Sequence, residues 1–444
     1  MIVGAQFGDG DKIKEYANNK VKVIEKVLEI FKMKSMPAQH VHLMLSLLVY
    51  PRLVYLKETI HPEIMRPILK KLDIKIDEIV KDKYKLNKTG DMVEELIHFT
   101  MRFGGLGYLN QEIQAIPSFI SVEIEANKIV NNMFNDNSNE IEKSLMNELE
   151  KIIVDKEVII KILKDDEINI ATGLNKEIQK IKYEQFRENN KDKIIINNLM
   201  TALKGKGVND ILVTRPTNSN QQFKDDEFII YIKQRMYLSP MPDVIQLGYC
   251  NKCLKEVGKS IHVYDCRHAD KIQRHDQIKI ALANILRDCG YYVRIEPNLY
   301  GKDSDHNNEH ADILALKDGN HILIDISVIN PMAESYLRVK PTEDKLLKMK
   351  DVIKHKLYDG QAADFDLEFY SFSMTTFGAF GEEALNLMNI LEEKSGEKKF
   401  AFRTRITLNS VLLRGNAWLI NQLSKIKNNN NINIPINTNL IRRS

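Results

Sequence analysis

The stretch at 311–329, ADILALKDGNHILIDISVI, places two short apolar runs on either side of Asp-Gly-Asn. Runs of this composition joined by such a turn form a β-hairpin. Around it the residue types alternate. RHDQIKIALANILRDCG (274–290) carries Ile278, Ala281, Leu282, Ile285 and Leu286 at helical spacing and stops at Gly290. YYVRIEP then reads as a strand, a Lys-rich segment at 342–358 as a helix, and DLEFYSFSMTT as another strand. Helix, strand, hairpin, helix, strand is an α/β unit around a small mixed sheet.

The chain before it has another period. In KVKVIEKVLEIFKMKSMPAQHVHLMLSLLVYPRL, apolar residues recur every three or four positions, including Val23, Ile24, Val27, Leu28, Phe31, Leu43, Leu47 and Leu48. This predicts helices, with Pro37 separating two of them and Pro51 ending the second. Gly104, Gly105 and Gly107 in MRFGGLGYLN predict a tight packed turn rather than a phosphate loop. Residues 136 to about 200 read as surface helices, 213–228 as a loop, and DDEFIIYIKQRMYL as a helix after it. At 444 residues, two or three domains are expected.

A net charge of +3, from 64 basic and 61 acidic residues, means that any nucleic-acid-binding surface must be local. The N-terminus has no secretory pattern. The most apolar stretch, HLMLSLLVYPRLVYL, is interrupted and too short to span a bilayer. The expectation is an intracellular protein, nuclear or cytoplasmic, neither secreted nor membrane-bound.

Three of the four cysteines fall close together in CNKCLKEVGKSIHVYDCRH. Cys250, Cys253, His262 and Cys266 have the spacing of a structural Zn²⁺ knuckle, with His268 as an alternative ligand. Four protein ligands leave no open coordination position. The competing reading is three unrelated cysteines and loop histidines.

The hairpin also carries Asp312 and Asp325, with twelve residues between them. Asp325 lies inside an apolar run, where a charge is costly unless paired or metal-bound. Carboxylates suit a hard ion such as Mg²⁺, which phosphodiester hydrolysis uses to neutralise phosphate and activate water. Their plainer reading is a hydrogen bond or ion pair at a strand end. The spacing resembles a PD-(D/E)XK nuclease core whose lysine would fall at Ser327. The following helix offers Lys345, Lys348, Lys350, Lys354 and Lys356 instead, most of which must be solvated. His275 and Asp276 lie on the preceding helix, where an acidic group could complete the metal shell, or where a charge could simply meet the helix dipole.

The order of these pieces is similar to the C-terminal part of site-specific non-LTR retrotransposon proteins with a restriction-like endonuclease. It runs from the Cys-Cys-His-Cys knuckle through RHD, the Asp pair and NP to a Lys-rich helix ending in Tyr358. The family's Lys/Arg-Pro-Asp triplet is HAD here, keeping Asp312; its second acidic residue maps to Asp325. Its displaced lysine, before a tyrosine, maps to Lys354, with Lys356 as second choice. FGDGDKI, SLLVYPRLVYL and FTMRFGGLGYLN resemble the region after a reverse-transcriptase palm. RPTNSNQQFKDDEFIIYIKQRMYL resembles the linker before the knuckle. The polymerase signature is an aromatic-x-Asp-Asp turn between strands; the letters FKDD at 223–226 match it, but they open the DDEFIIYIKQRMYL helix, so polymerisation is not expected.

The resemblance implies a multidomain chain: an all-α thumb-like region at 1–135, a helical linker at 136–245, and a zinc knuckle at 246–270. An α/β PD-(D/E)XK restriction-endonuclease-like domain follows at 271–395, then a helical extension at 396–426 and a disordered Asn-rich tail at 427–444. The implied activity is DNA nicking with Mg²⁺ or Mn²⁺ at Asp312 and Asp325, without polymerisation. Lys354 or Lys356 assists, and His275 and Asp276 stand nearby. The implied partners are a DNA target and the element's RNA. The rival from another class is a non-catalytic nucleic-acid-binding remnant. A helical interaction protein would account for the first 200 residues but not the knuckle. Target sequence and oligomeric state are not readable.

Overall fold

The computed structural model describes residues 8–86, 90–134, 143–165, 167–238, 264, 266, 270–300, 310–337 and 343–425. The described chain is mostly helical, with one four-stranded mixed sheet late in the sequence. Among the described residues no helix is long and apolar enough to cross a membrane.

The first helix, Gly10–Phe31, shows how the sequence builds the helical part. Asp9 caps it by accepting from the Asp11 amide, and Ala17, Val21, Ile24, Leu28 and Phe31 make its buried stripe. Val23 lies off that stripe and is exposed, as is Leu47. Pro51 does not end a helix. It lies in the first turn of Tyr50–Thr59, and the chain reaches it through a π-helical turn, Leu45–Val49. Proline removes an amide and crowds the preceding turn, and the wider π turn accommodates both without breaking the run.

The largest core draws on both ends of the helical region. Leu28, Leu53, Leu69, Tyr84, Leu96 and Tyr108 pack with Phe186, Phe228 and Ile232. A smaller core joins Ile116 and Ile120 to Leu149, Leu174 and Ile178. The helices after residue 143 therefore complete cores begun before residue 134.

The Gly-Gly-Leu-Gly turn is where this packing is tightest. Gly104 and Gly107 have φ of +84° and +80°, and a Cβ on Gly105 would lie 2.1 Å from the Phe99 carbonyl oxygen. The Gly105 carbonyl accepts from Arg235 Nη2, which also donates to Asn209 Oδ1 at 2.8 Å; Nη1 donates to the Val208 carbonyl. Arg235 is wholly buried. Its fixed fork of donors serves the Gly105 and Val208 carbonyls and the Asn209 amide oxygen at once, the Val208 carbonyl also accepting from the Tyr231 hydroxyl.

The sheet has the order β1-β2-β3-β4: Tyr292–Ile295, Ile313–Lys317, Asn320–Ile329 and Glu368–Thr375. The first two pairings are antiparallel, and β3 runs parallel to β4. Parallel neighbours need a crossover, and the helix Glu343–Asp364 provides it. Ile313, Ala315, Ile322, Ile324, Ile326, Phe372 and Met374 pack against Lys271–Asp288, Glu382–Ser395 and Phe400–Lys425. Leu314, Leu323 and Phe369 face the opposite way, against Tyr358 and Ala362 of the crossover helix. Both faces are covered, which is why β3 reads as a nearly continuous apolar run.

The Phe400–Lys425 helix lies along Lys271–Asp288. It also reaches the helical part, where Arg405 Nε is 2.8 Å from Asp210 Oδ2 and Asn409 Nδ2 donates to the Gly207 carbonyl at 2.9 Å. Phe380 N donates to the Lys206 carbonyl, and Gln234 Nε2 to that of Thr376. The sheet unit is thus hydrogen-bonded to the segment 206–234. Gly105→Ala is expected to cost about 3 kcal/mol through backbone overlap. Gly360→Ala, with open space around its Cβ on the crossover helix, should stabilise by about 0.5–1 kcal/mol. Chemical denaturation of both variants checks the pair.

Candidate functional site

Asp312 precedes β2, and Asp325 lies within β3, which pairs with β2. The Asp312 amide donates to the Ile324 carbonyl at 3.0 Å, and its carboxylate Oδ2 accepts from the Ile326 amide at 2.7 Å. The side chain thus takes over a bond that the backbone ladder no longer provides, and this fixes it beside β3. Both aspartates are buried, at 8% and 4% exposure.

Asp325 and Ser327 share a sheet face with Leu323, toward the crossover helix, because side chains alternate along a strand. Ser327 carries a neutral hydroxyl and supplies no cation to this site. Lys354 comes from the helix opposite, its Nζ 2.6 Å from Asp325 Oδ2. The contact is a close ion pair outside hydrogen-bond angles, so this buried oxygen accepts no aligned hydrogen bond. Burial raises the Asp325 carboxyl above the ordinary carboxylate range; Lys354 opposes the rise and the charge of Asp312 adds to it. Tyr358, one turn beyond Lys354, donates its hydroxyl to the His310 carbonyl at 3.2 Å. That bond ties the lysine-bearing helix to the start of β2.

Asp312 has its own cations. His275 Nε2 is 3.3 Å from Asp312 Oδ2 and 3.0 Å from the Ile326 carbonyl. Lys279 Nζ is 3.7 Å from Asp312 Oδ1 and bridges to Asp276 Oδ1 at 3.0 Å and to Glu296. Burial alone would lower the His275 pKa, but the bond to Asp312 and its charge outweigh that, and the net shift is upward. Asp276 is half-exposed, and the hydrogen bond from Lys279 holds its carboxyl below the ordinary range.

The structure therefore brings together His275, Asp312, Asp325 and Lys354. It sets Asp276 at the periphery, one ion pair away through Lys279. Lys356 and Lys345 are exposed, and Lys348 pairs with Glu382 at 3.1 Å. Lys350 is partly buried, and burial, reinforced by Lys354, lowers its pKa. Lys279 was not anticipated, although its spacing of four from His275 and three from Asp276 puts all three on one helix face. A second, partly buried network also escaped notice. Asp351 Oδ1 accepts from Ser371 Oγ at 2.8 Å, and His355 lies between Glu383 and Asp359. Its members are scattered over two helices and β4.

Of the expected zinc ligands, Cys250, Cys253, His262 and the alternative His268 lie outside the described residues, as does the 427–444 tail. Cys266 is buried among Tyr264, Ile329, Leu346 and Leu347. Among the described residues no three His, Cys, Asp or Glu side chains form a metal-binding group.

The His275–Asp312 contact has a pH signature. The folded pKa of His275 lies above its ordinary 6.5, so the stabilisation is fully present below 6.5 and lost as pH rises through the folded value. Denaturation of native chain and His275→Asn across the neutral range should show the native advantage shrinking as pH rises. Parallel curves would sink this assignment. Compared with known proteins, the chain matches no protein-family model and no curated protein.

Proposed function

We propose that the chain is a metal-dependent DNA-nicking endonuclease corresponding to the thumb, linker, knuckle and nuclease part of a non-LTR retrotransposon polyprotein. The observation that carries this reading is Lys354, which reaches Asp325 from the crossover helix where the strand itself offers only Ser327. Two buried carboxylates and one half-buried lysine at the end of a hairpin form a set suited to phosphodiester hydrolysis.

The residues present fit a hard divalent ion. Asp325 and Asp312 are both buried, and they lie near enough for the charge of Asp312 to raise the Asp325 carboxyl. Mg²⁺ is commonly bound by one or two carboxylates, with water and substrate phosphate supplying the other oxygens. Asp312 and Asp325 would hold Mg²⁺ or Mn²⁺, which when bound supplies charge neutralisation at the phosphate and a more acidic water. Lys354 is placed to donate to a phosphate oxygen as negative charge builds there. Tyr358 positions Lys354 by fixing its helix. His275 and Lys279 hold the Asp312 carboxylate in its orientation, and Asp276 restrains Lys279. The rest of the reading is a structural zinc knuckle at Cys250, Cys253, His262 and Cys266, and it rests on their spacing.

A second reading, a nucleic-acid-binding remnant without catalysis, is favoured by one observation. His275, Lys279 and Lys354 already compensate both carboxylates, as a purely structural pair would require.

Supercoiled plasmid incubated with Mg²⁺ distinguishes the two. The native chain should produce nicked circles, and Asp325→Ala none. Lys354→Ala should be slower by about 10²-fold, in line with loss of one transition-state donor, and Lys356→Ala should stay near native. DNA binding without nicking by the native chain would leave the second reading. Native mass spectrometry should find one zinc per chain, lost in Cys253→Ser.

A further inference from the structure

Beside His275, on the side away from Lys279, lies a cleft of about 470 Å³. That volume falls within the range of small-ligand sites, about 300–1,000 Å³. Lys271, Arg274 and His275 line it from one helix, Lys350 from the crossover helix, and Tyr264 and Tyr336 supply rings. Among the described residues no carboxylate lines it. Lys350 stands within the field of both Asp325 and Lys354. Arg274 is committed to Asn416 Oδ1 at 2.8 Å and lies over the Tyr264 ring, so these two buried side chains form a fixed floor. Tyr264 is held by its hydroxyl bond to Gln234.

Two lysines and two aromatic rings lining one cleft match a ligand with both a phosphate and a flat π-face. The cleft meets the Asp312 carboxylate at one residue, His275, which lines the first and contacts the second. Lys350 stands one helical turn before Lys354. A strand whose phosphate lay at Lys354 would carry a neighbouring nucleotide past Lys350. A base inside a duplex is stacked and paired and cannot enter such a cleft; an unpaired one can.

We propose that this cleft receives one unpaired DNA nucleotide adjacent to the scissile phosphate, its base against Tyr336 and its phosphate between Lys271 and Lys350. The inference rests on reading the Asp312–Asp325 edge as a DNA site, and it makes the substrate a locally opened duplex rather than a fully paired one.

The test is binding without metal, so that it does not depend on catalysis. Fluorescence anisotropy in EDTA would compare a fully paired duplex with the same duplex carrying a one-nucleotide bulge. The bulged duplex should bind about tenfold tighter, as expected for one base–aromatic stack. Tyr336→Ala and Lys350→Ala should each erase the preference, while Tyr336→Phe, which keeps the ring, should retain it and shows that the fold tolerates change there. Equal affinity for the two duplexes, or a preference surviving Tyr336→Ala, overturns the inference. Bulge preference without plasmid nicking would keep the cleft and remove the catalytic reading. Nicking without bulge preference would do the reverse.

Discussion

Burying a carboxylate in the central strand of a covered sheet imposes the conditions that the rest of the site meets. Asp325 cannot be ionised there without a compensating cation, since the cost of an unpaired buried charge runs to several kcal/mol. Lys354 provides one, and the side chains around it follow from that need. Tyr358 fixes the helix that carries the lysine, by bonding to the His310 carbonyl at the mouth of β2. Asp312, close enough for its charge to disfavour ionisation of Asp325, is restrained by the Ile326 amide, His275 and Lys279. Two like charges are thereby kept near each other within a ring of cations.

The same arrangement can be read as a stable polar cluster or as a site poised for a divalent ion and a phosphate. Both readings require Lys354 within reach of Asp325, and the 2.6 Å contact supplies that.

The helical part is not a loose appendage to the sheet unit. Asn409 and Arg405 of the last helix and the Phe380 amide reach across to segment 206–234, Gln234 of that segment reaches back to Thr376, and buried Arg235 links it to the Gly-Gly-Leu-Gly turn. Three of these four crossing contacts end on a backbone carbonyl, a directional restraint that apolar packing lacks. Gly205 and Gly207 permit the close approach. A Cβ at Gly205 would lie 2.3 Å from that of Ala379.

Much of the fold was legible in the sequence because it depends on local periodicity. The hairpin around Asp318-Gly319-Asn320, the helix ending before Gly290 and the left-handed glycines of the 104–107 turn are set by backbone preferences and the spacing of apolar residues. Asp325 could be singled out because a charge in an apolar run stands out in one dimension, and Asp312 by its spacing from it; Lys354 came forward only through the family resemblance. What the sequence could not settle was which of five lysines faces the sheet, since Lys350, Lys354 and Lys356 differ only in rotation about one helix axis. Nor could it reveal Lys279 as the cation under Asp312, or the cleft beside His275, whose walls come from residue 264 and two separate helices. Local spacing determined the elements and the residue types; only tertiary packing decided which charges are buried together, because burial depends on what lies across the sheet rather than along the chain.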